Sequence, residues 1–289
     1  MRSLLFVPGD SARKLEKALT SQADALLIDL EDSVSLEAKD EARSITADFL
    51  QGNVAGSGRP RLYVRINGLS TGLAEADLDR IMPAVPDGIV LPKAVGGADV
   101  AALAALLSRH EAGGTRAATR ILAIATENAA GVFALGTFAG SSDRLIGLAW
   151  GGEDLSADLG AASNRTDSGA YADPYRLART LTLLGAASAG VAAIDAVYTN
   201  FRDMAGLEAE CREARRDGFV GKMAIHPAQV PIINAAFAPT TEEIARARAV
   251  VAAFADNPGA GVVGVDGEML DRPHLLRAER LLARAGEVI

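Results

Sequence analysis

A chain of 289 residues that is 49% hydrophobic and 23% charged can bury a sizeable core and is too apolar to be disordered. Its net charge of −8 argues against nucleic acid or an anionic membrane as the general partner, so any phosphate-bearing ligand needs a local basic patch. The single cysteine excludes an internal disulfide, and no apolar run approaches the ~18 residues of a membrane span.

The opening stretch, MRSLLFVPGD, holds only about five apolar residues before Pro8, too few for a signal peptide, and a cytoplasmic protein is expected. Residues 4–7 read as a first strand closed by Pro8-Gly9-Asp10. Ser11 can then cap a helix to about residue 21, with Leu15, Ala18 and Leu19 at helical spacing. A second strand, 25–30, ends among Asp29, Glu31 and Asp32, and a helix follows over about 37–50. A loop at 52–60 leads to a third strand, 62–66, with Arg65 near its end. A short helix at 75–82 precedes a fourth strand, 88–91, which stops at Pro92-Lys93. A helix over 98–109 and a loop over 111–119 lead to a fifth strand, 121–125, ending in Thr126-Glu127-Asn128. After a helix at 129–138, a sixth strand, 145–149, breaks at Gly151-Gly152, and Glu153 and Asp154 follow.

Residues 165–171 are polar and suit a loop, and Asp173-Pro174 opens a helix to about 189. The seventh strand is expected at 193–197. The helix at 206–216 carries Cys211, expected to be inert, and the eighth strand, 222–225, runs into His226-Pro227. Beyond it come a helix at 241–254, a Gly-rich stretch at 257–267, and Met269-Leu270-Asp271 leading into a last helix to about 285. Eight strands alternating with helices predict an α/β fold, a (β/α)8 TIM barrel over 1–239, with a C-terminal helical extension or lid over 240–289. A doubly wound open sheet is the competitor, but no strand is followed by Gly-x-Gly-x-x-Gly.

Barrel enzymes place their chemistry at the C-terminal ends of the strands. There the chain sets Asp29, Glu31, Asp32, Arg65, Lys93, Glu127, Glu153, Asp154 and His226. Carboxylates around one mouth repel one another unless a cation or a basic side chain lies between them. A hard divalent ion such as Mg²⁺ beside Arg65, completed by substrate oxygens, resolves that conflict. Each residue also has a plainer reading. Glu127 or Asp154 can cap the next helix or solvate a loop. Lys93 can form a Schiff base or simply pair with an acid. His226 can end its strand through a side-chain hydrogen bond or contact a ligand, and Trp150 is expected to pack. His-Glu-x-x-His, Cys-x-x-Cys, Walker and Gly-x-Ser-x-Gly motifs are absent. With three histidines, zinc chemistry and a Ser-His-Asp triad are poorly supplied.

The segments LLFVPGD, SARKLEKAL, LLIDLEDSV, YVRIN, LPKA, TENAAGV, WGGEDLSADLG and GKMAIHPAQVPIIN occur in this order. With them the chain resembles, from Arg2 to about Leu282, the citrate lyase beta subunit-like branch of the HpcH/HpaI and acyl-CoA lyase superfamily. That superfamily includes malyl-CoA and citramalyl-CoA lyases. The resemblance implies a Mg²⁺-dependent barrel that assembles as a homotrimer or hexamer. It makes Glu127 and Asp154 the metal ligands and Arg65 the group that holds the substrate carbonyl and the developing enolate. Asp29, Glu31 and Asp32 would order metal-bound waters. Arg13 and Lys17, with Ile225 and His226, would lie along the coenzyme A or acyl-carrier arm. Asp271, in a Met-hydrophobic-Asp motif, would reach a neighbouring subunit's site as acid/base.

The expected reaction is a retro-Claisen cleavage of a malyl-, citramalyl- or citryl-type 3-hydroxyacyl thioester. It gives an α-keto acid (glyoxylate, pyruvate or oxaloacetate) and acetyl- or acyl-CoA. Two rivals remain open: a class II pyruvate aldolase acting on a free hydroxy-keto acid, and a carrier-dependent subunit of a multi-component citrate lyase that is inactive alone. Thioester hydrolysis is a possible side reaction of the same site.

Overall fold

Strands covered on both faces read as short, continuously apolar runs, and the chain supplies eight in which almost every residue is buried. They are β1 (Ser3–Pro8), β2 (Ala25–Asp29), β3 (Arg61–Arg65), β4 (Gly88–Leu91), β5 (Arg120–Ile124), β6 (Leu145–Ala149), β7 (Ala192–Asp195) and β8 (Gly221–Ala224). Between and after them lie α1 (Ala12–Leu19), α2 (Lys39–Gly52), α3 (Ala74–Ile81), α4 (Gly97–His110), α5 (Ala129–Phe133), α6 (Gly152–Asp158), α7 (Asp173–Ala189), α8 (Met204–Asp217) and α9 (Val230–Phe237). The computed structural model describes residues 1–54, 58–112 and 118–287. The centres of the loops expected at 52–60 and 111–119 lie outside the described residues.

All eight strands pair in parallel and in chain order. β1 meets β2 with Leu4 opposite Ala25, and it also meets β8 with Leu4 opposite Met223. That second pairing closes the sheet into a (β/α)8 barrel and removes the open-sheet alternative. Every strand sends at least one side chain into a single core cluster, among them Leu4, Leu27, Tyr63, Val90, Ile124, Ala149, Ile194 and Met223. Side chains alternate along a strand with a period of two. Asp29 therefore follows Leu27 on the inward row of β2, and Arg65 follows Tyr63 on that of β3. The apolar layer thus turns polar at the C-terminal rim.

The chain divides into two compact units, Met1–Ala236 and Phe237–Ile289. The second contains α10 (Thr241–Ala255), β9 (Val262–Val265), β10 (Glu268–Asp271) and α11 (Arg272–Arg284). Its strands form an antiparallel hairpin with Val265 opposite Glu268, over a core of Ala247, Val250, Val263, Val265, Leu270, Ala278 and Leu282. Among the described residues, no helix is long and apolar enough to cross a membrane.

The structure departs from the sequence expectations in four places. Ser11 precedes α1 but makes no side-chain cap; its backbone carbonyl accepts from Lys14 and Leu15 at 3.0 and 3.1 Å. The helix expected over 129–138 breaks into α5 and a 3-10 turn, Leu135–Phe138, where Gly131 and Gly136 weaken helix propensity. The two acids after β6 stand in the first turn of α6, a helix not anticipated. The Gly-rich stretch 257–267 contains β9 rather than only loop.

Candidate active site

The rim corners bring most of the expected residues together. Asp29 is the last residue of β2, and its carboxylate takes Arg65 Nε and Nη2, each at 2.7 Å. It also accepts from the backbone of Glu31 at 2.9 Å and of Ser33 at 3.1 Å. Both Asp29 oxygens are therefore fully occupied by the protein. Burial works against this carboxylate, but Arg65 outweighs it and holds the group below the usual carboxylate range. Burial likewise disfavours the Arg65 cation, and the hydrogen bonds and charge of Asp29 prevail to hold it above its ordinary value. The Arg65 side chain is 10% exposed, its third nitrogen lies 3.0 Å from Glu31 Oε2, and its Cζ sits 4.8 Å from the Phe6 ring centre. A buried, bidentate, ring-backed guanidinium has one orientation and presents it rigidly.

Lys93, beyond β4, reaches back across the mouth. Its ammonium lies 2.6 Å from Glu31, 3.1 Å from Asp32 and 3.4 Å from Asp154. Its backbone N–H donates to Glu127 Oε2. The acid-pairing alternative for Lys93 is thus the observed one, and the residue is a larger part of the mouth than its place in the sequence suggested. Glu31 is held above the usual range by burial, although Arg65 and Lys93 pull it down.

Glu127 follows β5 and is almost wholly buried. Burial, with Asp154 and Glu31 beside it, pushes its carboxyl up to about 8. Gly151 makes its position possible: a Cβ there would stand 2.5 Å from Glu127 Cγ, too close for any other residue. Asp154 and Glu153 are in the first turn of α6, where the helix N-terminus favours negative charge. Glu153 accepts from Asn164 at 2.8 Å. Arg65, Glu127, Glu153 and Asp154 line one cavity of about 60 Å³, with Phe6 and Trp150 among its walls. Trp150 packs as expected and is also fixed by a role the sequence did not signal, a 2.7 Å hydrogen bond from Nε1 to Asp195.

Within the barrel unit, Arg13, Lys17, Ile225 and His226 are not among the residues that line this cavity. Arg13 and Lys17 are exposed, one turn apart on α1. Ile225 and His226 follow β8, which pairs with β1, so these two corners of the rim are neighbours. His226 Nδ1 accepts from Ala228 N at 3.1 Å, and its ring stacks on Phe201 with centroids 5.0 Å apart. The strand-ending reading of His226 is therefore realised. Asp271 ends β10 in the second unit, half-exposed, with its carboxylate 2.5 Å from His274 Nδ1.

The donor set suits a hard divalent cation. Six carboxylates (Asp29, Glu31, Asp32, Glu127, Glu153 and Asp154) stand at the mouth, all oxygen donors, and Glu127 is held from ionising first by its burial and then by Asp154 and Glu31. Among the described residues no three His, Cys, Asp or Glu side chains converge as a complete ligand cage. Of the three carboxylates that line the cavity, Glu153 is held by Asn164.

These features define a (β/α)8 barrel whose candidate site stands at the C-terminal face of the strands. Residues 2–227 match the family described as HpcH/HpaI aldolase/citrate lyase. The chain is 37% identical over 289 residues to citrate lyase subunit beta of Leuconostoc mesenteroides subsp. cremoris, covering 98% of this chain and 93% of the relative. It is 38% identical over 290 residues to a (3S)-malyl-CoA thioesterase of Cereibacter sphaeroides, covering 98% and 94%. A crystal structure of Mycobacterium tuberculosis CitE in complex with magnesium, acetoacetate and coenzyme A superposes with a TM-score of 0.79 at 34% identity, covering 99% of this chain and 98% of that one. The protein belongs to the HpcH/HpaI aldolase/citrate lyase family.

Proposed function

We propose that the protein is a Mg²⁺-dependent carbon–carbon lyase that cleaves a 3-hydroxyacyl-CoA, or the same acyl group on a carrier, to an α-keto acid and a shorter thioester. The observation that carries this reading is the single cavity lined by Glu127, Asp154 and Arg65. CitE of M. tuberculosis bound to magnesium with acetoacetate and coenzyme A, or with oxaloacetate, supports the ligand class.

Magnesium held by Glu127 and Asp154 would supply a Lewis acid for the substrate's carboxylate and hydroxyl oxygens. In cleavage the hydroxyl proton passes to water, the O–H bonding pair becomes the new keto C=O bond, and the C–C bonding pair passes to the thioester α-carbon, placing negative charge on the thioester oxygen. Arg65, locked by Asp29 and Phe6, meets that oxygen without having to reorganise. Glu31 and Asp32 order water around the polar face. Asp29 acts through Arg65, since both its oxygens are taken. Asp271, reaching a neighbouring subunit's site, delivers a proton to the enolate carbon there, and in the reverse direction removes one. Arg13, Lys17, Ile225 and His226 run along the coenzyme A or carrier arm, giving an acidic protein the local positive charge that a phosphate chain needs. The extension containing Asp271 serves as a lid in a cytoplasmic homotrimer or hexamer.

A panel of malyl-, citramalyl- and citryl-CoA assayed with and without Mg²⁺ tests the proposal by detecting keto acid. Release that persists unchanged in EDTA would remove the metal assignment. The thioesterase relatives favour a second reading, hydrolysis of the thioester, which would appear as free coenzyme A without new keto acid. The citrate lyase subunit relative favours a carrier-dependent role, which would leave the isolated chain silent on every free acyl-CoA.

A further inference from the structure

The acidic mouth already contains a cation that belongs to the chain. Lys93 has a φ of 52°, in the left-handed region that side chains other than glycine, asparagine and aspartate rarely adopt. That conformation directs its backbone N–H at Glu127 Oε2 and its ammonium at Glu31, Asp32 and Asp154. One residue therefore touches both carboxylates assigned above to the metal, Glu127 through the main chain and Asp154 through charge. The two bases of the mouth differ in kind. Arg65 is planar, 10% exposed and doubly hydrogen-bonded to Asp29. Lys93 is a point charge on a flexible stem, 36% exposed, with a clear way to solvent.

We propose that Lys93 is a built-in competitor of the divalent cation: its ammonium holds Asp154 to the Glu31–Asp32 corner while the metal is away, and gives Asp154 up when an ion arrives. The inference rests on the Glu127–Asp154 metal reading. Two electrostatic effects act in the same direction. The ammonium stabilises the metal-free mouth by lying among carboxylates that would otherwise repel one another, and it repels an incoming dication at the same place. Lys93 thus weakens metal binding and steadies the protein that lacks metal. It is a positioning residue, with no contact to the reacting atoms required.

The test uses full-length protein and Mn²⁺ as the probe, titrated by electron paramagnetic resonance, with thermal melts in EDTA and in saturating Mg²⁺. Lys93→Asn removes the charge while tolerating the left-handed backbone, and Lys93→Gln carries the same test should the asparagine variant not fold. The neutral variant is expected to bind Mn²⁺ about ten-fold more tightly than wild type, a difference of ~1.4 kcal/mol. It should melt several degrees lower in EDTA and recover most of that gap in Mg²⁺, whereas Lys93→Arg should follow wild type in both measurements. A neutral variant that binds Mn²⁺ no more tightly than wild type overturns the proposal. Glu127→Gln separates the two levels. If wild type binds Mn²⁺ and Glu127→Gln does not, the metal site stands whatever Lys93 does; a wild type that binds no Mn²⁺ sinks both.

Discussion

Two clusters of charge lie in the barrel, and they differ in balance rather than in number of groups. At the mouth, six carboxylates (Asp29, Glu31, Asp32, Glu127, Glu153 and Asp154) face two bases, Arg65 and Lys93. Lys39 lies behind them, but its ammonium is bound to the Leu30 and Glu31 carbonyls. Around β7 and β8, four acids (Asp195, Glu210, Glu213 and Asp217) meet four bases (Arg165, Arg179, Arg216 and Lys222). Lys222 bonds Asp195 at 2.8 Å and Glu210 at 2.7 Å, Arg179 bonds Asp195 at 3.1 Å and Asp217 at 2.9 Å, and Arg165 bonds Glu210 at 2.9 Å. Electrostatics follows the balance. Glu127 is pushed up to about 8 by burial and its acidic neighbours, while Asp195, although wholly buried, is held below the usual range by Lys222 and Arg179. A saturated cluster is scaffold; an acid excess in a cavity calls for a cation from outside.

If that distinction is right, variants in the two clusters should fail differently. The largest effect belongs to the mouth: Glu127→Gln should lower lyase turnover by ~10³-fold or more. Its melting temperature without metal should stay the same or rise, because a crowded buried acid has been neutralised. A loss of stability matching the loss of activity would erase the contrast. Arg65→Met spans both behaviours, costing ~10²–10³-fold in rate and ~3–5 kcal/mol in urea unfolding because Asp29 is left buried without its partner. Lys222→Met should cost a similar ~3–5 kcal/mol, with turnover per folded molecule within a few-fold of wild type.

A smaller effect concerns pH. The folded Asp195 carboxyl lies below its unfolded value of 3.8, so its contribution is present above that value and is lost as pH falls through the folded one. Wild-type stability should therefore drop in acid below about 3.8, each unit of separation standing for about 1.4 kcal/mol. Asp195→Asn should be less stable at neutral pH and flatter across that acid window. Equal slopes in the two proteins would show that Lys222 and Arg179 do not control this group.

The barrel was legible because its strands are buried on both faces and read as uniform apolar runs with breakers at each end, as in Leu145–Ala149 before Gly151-Gly152. The acids at the rim were legible for the same reason, since strand ends fix where side chains emerge. What stayed hidden was contact between corners. Nothing in Pro92-Lys93-Ala94 says that this ammonium crosses to Asp154, because that depends on a left-handed backbone at Lys93 and on the spacing of β4 and β6 around the barrel. The β9–β10 hairpin is a different case, as its signal was present. Asp266-Gly267, with φ of 51° and 83°, is a two-residue turn between Val263/Val265 and Leu270, alternating residues that bury one face. The glycines around it masked the alternation.

The last and smallest prediction probes how tightly the balanced cluster is sealed. Cys211, on α8, is fully buried beside Lys222, Asp195 and Glu210. A nearby ammonium alone would favour the thiolate, yet burial dominates and pushes the thiol up to about 12. At pH 8 the native protein should therefore release no chromophore from a disulfide reagent over hours, and one equivalent on unfolding in urea. Lys222→Met removes the neighbouring cation and loosens the packing, two changes with opposite effects on reactivity. Burial disfavours the thiolate only while the cluster stays closed, so faster labelling in this variant would report opening, and the rate should follow its lowered unfolding free energy. Rapid labelling of the native wild type would mean that solvent reaches Lys222 and Asp195, and that this region is as open as the mouth.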